Sequence, residues 1–365
     1  MGRENKERLG DRKVRSDMKG ATLKDVAREA DVSIASASRA INGLDNVAEE
    51  VRRRVLEAAS KLRYVPHGGA RSLVMARTNT VGVLLPDIYG EFFSEIIRGV
   101  DVAARARGLH LLVSGSHGDI NEAVAAVRAM GGRVDGLLVM SPFVDSQDLA
   151  AVLPLNLPLV TIASRIGKVE QGSISIDNFG GGVKAVEHLI DQGCKTLAHI
   201  SGPPSNFEAQ ERRRGFLEAA NTALPGAEHR LFEGDFTEES GYRGAKAFLN
   251  ACAQTGEPMP EGIFVANDMM AVGCLLALRE AGKAVPDEVA LVGFDDIPIA
   301  RFASPPLSTL RVGVFDLGRR GLELLVDAME RDSLSDGEDR ESGEGIVVSP
   351  ELVFRDSSRR RAPPA

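Results

Sequence analysis

From residue 80 onward, short apolar runs alternate with longer amphipathic stretches. The apolar runs lie at 81–85, 109–113, 136–140, 159–163, 173–176, 196–201, 262–266 and 289–294. Their length and continuous hydrophobicity predict strands buried on both faces. Stretches with helical periodicity at about 92–107, 121–130, 180–192, 209–223, 240–253, 268–281 and 314–330 separate most of them. Strands alternating with helices predict an α/β architecture of parallel sheets covered on both sides. Eight units are too many for one small open sheet. The choice lies between a closed barrel and two doubly wound domains.

The first eighty residues read differently. Residues 1–18 are polar and of mixed charge, with little periodicity, and predict a disordered tail. Met18 stands just before the first patterned segment and is an alternative translation start. Thr22 can cap a helix, with Asp25 at its third position. Leu23, Val26, Ala27 and Ala30 then fall on one helical face. Asp31 tolerates a left-handed turn, and Ser33 can cap a second helix over 34–42. A third helix over about 49–62 sets Val51, Val55 and Leu62 on one face, with Arg52, Arg53, Arg54 and Lys61 on the other. Ala48 is a poor cap for it, so Asn46 is expected to substitute, or the first turn to fray. Three short helices with a tight turn between the first two predict an all-α helix-turn-helix head.

Charge supports a division of labour. The chain has 365 residues and a net charge of −8. Residues 1–80 hold 17 basic and 11 acidic side chains, a net of +6, while the remainder nets −14. A basic head on an acidic body suggests polyanion binding at one end. No stretch is long and apolar enough to span a membrane, and the first twenty residues lack the apolar core of a secretory signal. A cytoplasmic location is expected. Cys194, Cys252 and Cys274 are isolated, and the six histidines show no metal spacing, so neither a metal nor another cofactor is expected. Catalysis finds no constellation. Ser116-His117 lacks a nucleophile elbow, and Gly180-Gly181-Gly182 is neither a P-loop nor a dinucleotide fingerprint.

The run from Thr22 to Gly43, TLKDVAREADVSIASASRAING, is similar to the start of the lactose repressor (LacI/GalR) family of bacterial transcription regulators. Tyr64-Val-Pro66 and Ala70-Arg-Ser-Leu73 continue the resemblance. So do Asp177-Asn178, Gly202-Pro203, Arg212, Gly234-Asp-Phe236, Asn267-Asp268, Gly293-Phe-Asp295 and 350–355 in the body. The chain departs from the family at Asp31 (usually Gly), at Ser36-Ala37 (usually Thr-Val) and at Ala48 (usually Ser).

The resemblance implies a helix-turn-helix domain at 19–65, a hinge at 66–78 and a two-lobed core at 79–356 of the periplasmic-binding-protein type. A flexible tail at 357–365 follows. The implied lobes are about 79–177 with 305–335, and 178–304 with 346–356, so the chain would cross near 177, near 305 and near 335–345. The stretch 331–345 reads as an acidic, Gly/Ser-rich disordered loop. By resemblance, Ile34, Ala35 and Arg39 match base-reading positions. Thr22, Ser33, Ser36 and Ser38 are candidate phosphate contacts, and Ala70 and Leu73 match the hinge, with Leu73 as a minor-groove wedge. Phe92 or Phe93, Arg212, Phe236, Asn267 and Asp295 match effector positions, whereas Asp268 is expected to cap its helix. The glycine triplet is attributed to close approach between lobes. Asn206-Phe-Glu208 departs from the purine-binding branch, so a small polar, sugar-like effector is expected rather than a purine.

The function implied is an effector-responsive homodimeric repressor on a pseudo-palindromic operator. A two-lobed ligand-binding protein without a regulatory role would have no basic head. An α/β sugar or nucleotide enzyme would need a catalytic constellation.

Overall fold

The structure, a computed structural model, describes residues 21–44, 46–65, 77–143, 151, 153, 157–164, 172–334 and 345–360. The expectations for the 1–18 tail, for Ala70 and Leu73 in the hinge, for 361–365 and for 335–344 lie outside the described residues, whereas the start of the expected flexible tail is packed, with Ser357 and Ser358 fully buried and bonded to Ser308. The chain divides into two compact units, Met1–Thr78 and Asn79–Ala365.

In the first unit, α1 (Leu23–Glu29), α2 (Ile34–Ile41) and α3 (Glu49–Lys61) enclose a core of Val26, Ala27, Ala30, Ala37, Ala40, Val55 and Ala58. Mostly small side chains let three short helices pack closely. Thr22 and Asp25 form a reciprocal capping box. Asp31 takes the left-handed conformation (φ +54°) that the turn requires. Arg54 Nη2 donates to the carbonyls of Ala30 (2.6 Å) and Asp31 (3.1 Å), so α3 ties down the α1–α2 turn.

Neither expected start for α3 is found. Ala48 is its N-cap, without a side-chain bond, and Asn46 does not substitute. Ala48→Ser would supply the missing acceptor. It is expected to stabilise the head by about 1 kcal/mol, read as a rise in the midpoint of the head's thermal transition.

The second unit contains two six-stranded sheets. The first lobe carries β1 (Thr80–Leu85), β2 (His110–Gly115), β3 (Gly136–Val139), β4 (Leu159–Ile162) and β5 (Ser173–Ile176). Helices α4 (Glu91–Arg105) and α5 (Ile120–Met130) belong to it. The second lobe runs through α6 (Asn178–Asp191), β6 (Leu197–Ser201), α7 (Phe207–Ala223), β7 (Arg230–Glu233), α8 (Glu238–Thr255), β8 (Gly262–Val265), α9 (Asp268–Glu280), β9 (Ala290–Asp295) and β10 (Ser308–Arg311). Then α10 (Val314–Leu334) packs back on α4, β11 (Gly345–Val348) joins β5, and β12 (Glu351–Val353) joins β10. The orders are β11-β5-β4-β3-β1-β2 and β12-β10-β9-β8-β6-β7, and β12 is the one antiparallel member among the described strands.

The crossings differ from expectation in two places. The second falls at 312–313, because β10 belongs to the second sheet rather than marking a return near 305. The third falls at 349–350, because β11 still belongs to the first. The helix α10 also extends to Leu334, past the expected 330. The glycine triplet needs a different explanation as well. A Cβ on Gly182 would collide with the Arg212 carbonyl, and one on Gly181 with the Phe294 ring. The close approach is of α6 to α7 and β9 within the second lobe, not between lobes.

His199 on β6 is fully buried, stacked 5.0 Å from Phe216 and 4.7 Å from Phe264. Its Nδ1 lies 2.9 Å from the Phe264 carbonyl, the place of an N–H donor. Burial pushes its pKa down to about 3. The unfolded chain therefore binds a proton that the native chain refuses. Stability is full above about pH 6.5 and falls as pH drops toward 3, at about 1.4 kcal/mol per pH unit for one proton. The difference in unfolding free energy between the native chain and His199→Phe, measured in urea at pH 7 and pH 5, is expected to show this slope, since groups that titrate in both proteins cancel.

Candidate functional site

In the head, α2 presents Ile34 (49% exposed), Ala35 and Arg39 to solvent, while Ala37 and Ala40 turn inward. Ile34 opens the second helix of the helix-turn-helix and is exposed, so it is not core. Among the described residues no carboxylate pairs with Arg39. The neighbouring cations are engaged locally. Arg53 bridges Glu50 and Glu57, Lys61 reaches Glu29, and Arg52 Nη2 donates to the Leu44 carbonyl. The candidate phosphate contacts already serve the fold. Thr22 Oγ1 and Ser33 Oγ cap their helices, Ser33 and Ser36 hydroxyls lie 2.9 Å apart, and Ser38 Oγ receives Asn42 Nδ2 at 3.4 Å. A phosphate oxygen accepts, so a contact needs a hydroxyl proton: Ser38 keeps its own, one of Ser33 and Ser36 does, and Thr22 Oγ1 donates to Asp25 Oδ2 and must leave it to reach a phosphate.

In the body, the predicted effector residues sit after the carboxyl ends of strands, where open α/β sheets bind ligands. Asp295 ends β9 and Asn267 follows β8. Phe236 follows β7, Arg212 lies on α7, and Phe92 and Phe93 open α4 after β1. The structure brings Arg212 and Asp295 together, both almost wholly buried, with Arg212 Nη2 3.7 Å from Asp295 Oδ1. That Asp295 oxygen has no hydrogen-bond partner among the described residues. A buried acceptor without a donor is costly in a resting fold and natural in a binding site. Burial, helped by the charge of Glu208 and opposed by Arg212, raises the Asp295 pKa to about 7.

The rest of Arg212 is held by protein. Its Nε donates to Asn178 Oδ1 (2.6 Å), its Nη1 to the Ala266 carbonyl (2.5 Å), and its guanidinium lies 3.8 Å over the Phe294 ring. Two of its three nitrogens are thus taken, and Nη2 faces Asp295. Asn178 Nδ2 in turn donates to the Ile176 carbonyl and to Glu208.

Asn267 is also committed. It, and not Asp268, caps α9: Asn267 Oδ1 accepts from Met270 N (2.9 Å), and its Nδ2 donates to the Phe236 carbonyl (3.1 Å). Asp268 instead accepts from Ile297 N (3.0 Å) and Thr309 Oγ1 (2.6 Å). Its side chain points across to β10 rather than back to its own helix. Phe236 adopts φ +70°, with its ring against the Gly202 backbone. Phe92 and Phe93 are half-buried, in edge contact at 5.4 Å.

Residues that sequence reasoning missed hold this arrangement. Asp296 takes Arg311 Nε (2.7 Å) and Arg355 Nη2 (2.6 Å), clamping the loop that presents Asp295, where both aspartates have positive φ. Their partners lie up to 59 residues away in sequence, so no local signal exists. Glu208 was visible only as a departure from a family pattern. Bonds between the lobes among the described residues include Ile299 N to Glu91 Oε2 (2.8 Å), Tyr89 Oη to Glu238 Oε2 (3.3 Å) and Phe207 N to the Pro142 carbonyl (3.3 Å). Beside Glu208 is a cavity of about 260 Å³, lined by Ser164 and Ser175 of the first lobe and by Asp177, Phe207, Glu208 and Glu211 among others. No helix among the described residues is long and apolar enough to cross a membrane, and no group of metal-ligating side chains is found among them.

Comparison with known proteins agrees with this division. Residues 22–67 match the model of bacterial regulatory proteins, lacI family, and residues 186–358 match a periplasmic binding protein-like domain. The chain is 33% identical to the HTH-type transcriptional repressor PurR of Mannheimia succiniciproducens, over 94% of this chain and all of that protein. It is 31% identical to the repressor CytR of Escherichia coli K12, over 95% and 99% of the two chains. Among solved structures, the Lac repressor dimer bound to operator and the anti-inducer ONPF superposes with a TM-score of 0.78 at 26% identity, covering 93% of this chain and 99% of that one. The CelR–cellobiose complex superposes at 0.66 and 30% identity, covering 93% and 100%. With its head matched by the lacI model and repressors 31% and 33% identical to it over nearly its whole length, the chain belongs to the lacI family of bacterial regulatory proteins.

Proposed function

We propose that two copies of this chain bind a pseudo-palindromic operator as a repressor, and that a small polar ligand between the lobes switches this binding. Arg39 is the candidate guanine reader, and Ile34 and Ala35 are apolar base contacts. Thr22, Ser33, Ser36 and Ser38 hold phosphates. Ala70 and Leu73 serve the hinge, with Leu73 as a wedge. Phe92, Phe93, Arg212, Phe236, Asn267 and Asp295 form the ligand site, in which Asn267 shapes the wall and Asp295 makes the decisive bond. The observation that carries the reading is Asp295: a buried carboxylate oxygen without a donor, next to Arg212, in a chain that also carries a helix-turn-helix.

The ligand is a sugar or sugar derivative rather than a purine. The site offers carboxylate acceptors to hydroxyl donors, and a relative of this fold was solved with cellobiose. Differential affinity of the ligand for two lobe arrangements is what a switch requires. Glu91 is placed to transmit it, since it links α4 to the segment just after Asp295.

Titrating the full chain against DNA from upstream of its own gene tests the DNA half. Affinity is expected to fall by about a thousandfold between 50 and 200 mM salt if several phosphates are neutralised. Salt-independent binding, or none, contradicts the proposal.

A further inference from the structure

Each lobe carries a buried side-chain oxygen without a hydrogen-bond partner at the carboxyl end of an interior strand. One is Asp295 Oδ1, at the end of β9 in the second lobe. The other is Ser141 Oγ, two residues past β3 in the first. Ser141 is only 3% exposed. Its backbone is fixed where the lobes meet. The Ser141 N–H donates to Ser164 Oγ (2.6 Å), and Ser164 lines the cavity of about 260 Å³. The carbonyl of the next residue, Pro142, accepts from Phe207 N of the second lobe (3.3 Å). Two other serines just past strand ends of the same sheet are engaged. Ser116 Oγ, after β2, donates to the Leu85 carbonyl (3.3 Å), and Ser164 Oγ, after β4, to the Ile162 carbonyl (2.9 Å). Of the three hydroxyls, only that of Ser141 is idle.

A buried hydroxyl that bonds to nothing has lost its hydration without compensation. A ligand that supplies the partner recovers that loss. The polar side chains so far assigned to the ligand, Arg212, Asn267 and Asp295, all belong to the second lobe, and the first contributes only the rings of Phe92 and Phe93. We propose that Ser141 Oγ is the first lobe's polar contact to the ligand, so that one molecule bonds Ser141 and Asp295 and ties the lobes across the cleft. A serine hydroxyl both donates and accepts, which suits a hydroxyl of a polyol. A ligand bonded to one lobe alone keeps its contacts in any lobe arrangement. Bonded to both, it favours the arrangement that brings Ser141 and Asp295 within its span, which is the differential affinity a switch needs. The inference rests on the ligand site proposed above.

The test compares the full native chain with Ser141→Ala, first without ligand. Removing an idle hydroxyl is expected to leave the midpoint of the body's thermal transition unchanged or to raise it. A midpoint lowered by more than about 3 °C assigns the hydroxyl to the fold and overturns the inference. Calorimetric titration with glucose, galactose, mannose and cellobiose then finds the sugar that the native chain binds most tightly. Ser141→Ala is expected to bind that sugar about three- to tenfold more weakly, the worth of one neutral hydrogen bond. Among its monodeoxy analogues, one is expected to lose the same factor against the native chain and nothing against Ser141→Ala. Undiminished sugar affinity in Ser141→Ala overturns the inference, and so do deoxy analogues that both proteins rank alike. Asp295→Asn separates this inference from the reading beneath it. If that variant loses binding while Ser141→Ala binds like the native chain, the site stands and the role of Ser141 fails. If Asp295→Asn binds like the native chain, or if no sugar binds the native chain, the ligand reading fails and takes Ser141 with it.

Discussion

Arg39→Ala is expected to weaken operator binding about 10- to 100-fold and to relax the base preference at one position of each half-site. The magnitude follows from a bidentate arginine–guanine pair, worth about 1–3 kcal/mol. The geometry behind it is specific. Arg39 is exposed in the last turn of α2, while Ala37 and Ala40 on the same helix are buried against α1 and α3. Its truncation removes no packing, so the head should melt as before. A phosphate contact would behave otherwise, lowering affinity for every sequence alike and reducing the salt slope. Binding measured on the native operator and on one with the contacted base pair changed tells the two apart. Equal losses on both would assign Arg39 to the backbone.

Asp295→Asn is expected to abolish the ligand response while stabilising the empty core. Asparagine keeps the shape but replaces an ionisable acceptor, and a hydrogen bond to a charged group contributes about 1.5–3 kcal/mol, or roughly 10- to 150-fold in ligand affinity. The stability effect has a definite sign. Asp295 titrates near 7 in the fold, against an ordinary value of 3.8, chiefly because it is buried. Above pH 7 it is charged in both native and unfolded chains, and burying that charge costs roughly 2–4 kcal/mol. Between about pH 7 and pH 4 the native chain holds a proton that the unfolded chain releases, so the cost fades as pH falls. The variant should therefore be more stable than the native chain at pH 8 and lose that advantage toward pH 4. His199 acts in the opposite direction over an overlapping range, but it is common to both proteins and cancels in the difference.

Much of this organisation is legible in the chain. Helices such as α4 and α5 carry apolar residues at helical spacing, and the central strands are continuous apolar runs, so their positions follow from period alone. Four strands were not expected. Of these, β7, β11 and β12 are edge strands, only three or four residues long and half-exposed along their length. The fourth, β10, reads Ser-Thr-Leu-Arg behind two prolines, and only its place between β9 and β12 makes it a strand. Those omissions moved both later crossings between lobes.

The site shows the same split. Asp295, Arg212 and Phe236 stand in recognisable local motifs. The roles of Asn178, Glu208 and Asp296 depend on partners 15 to 59 residues away, which no window of sequence reports. Asn267 and Asp268 exchanged their expected parts for a related reason. Either side chain can cap α9, and the one that does is decided by Thr309 and Ile297, which draw Asp268 away.

In the proposed function, ligand at Asp295 governs DNA binding at Arg39. Fluorescence anisotropy of labelled operator with the full chain, titrated with a panel of sugars, amino sugars and nucleosides, measures that coupling directly. At least one compound is expected to change the operator affinity of the native chain tenfold or more, and none to change that of Asp295→Asn. Operator affinity indifferent to every compound, or shifted equally in both proteins, would contradict the account.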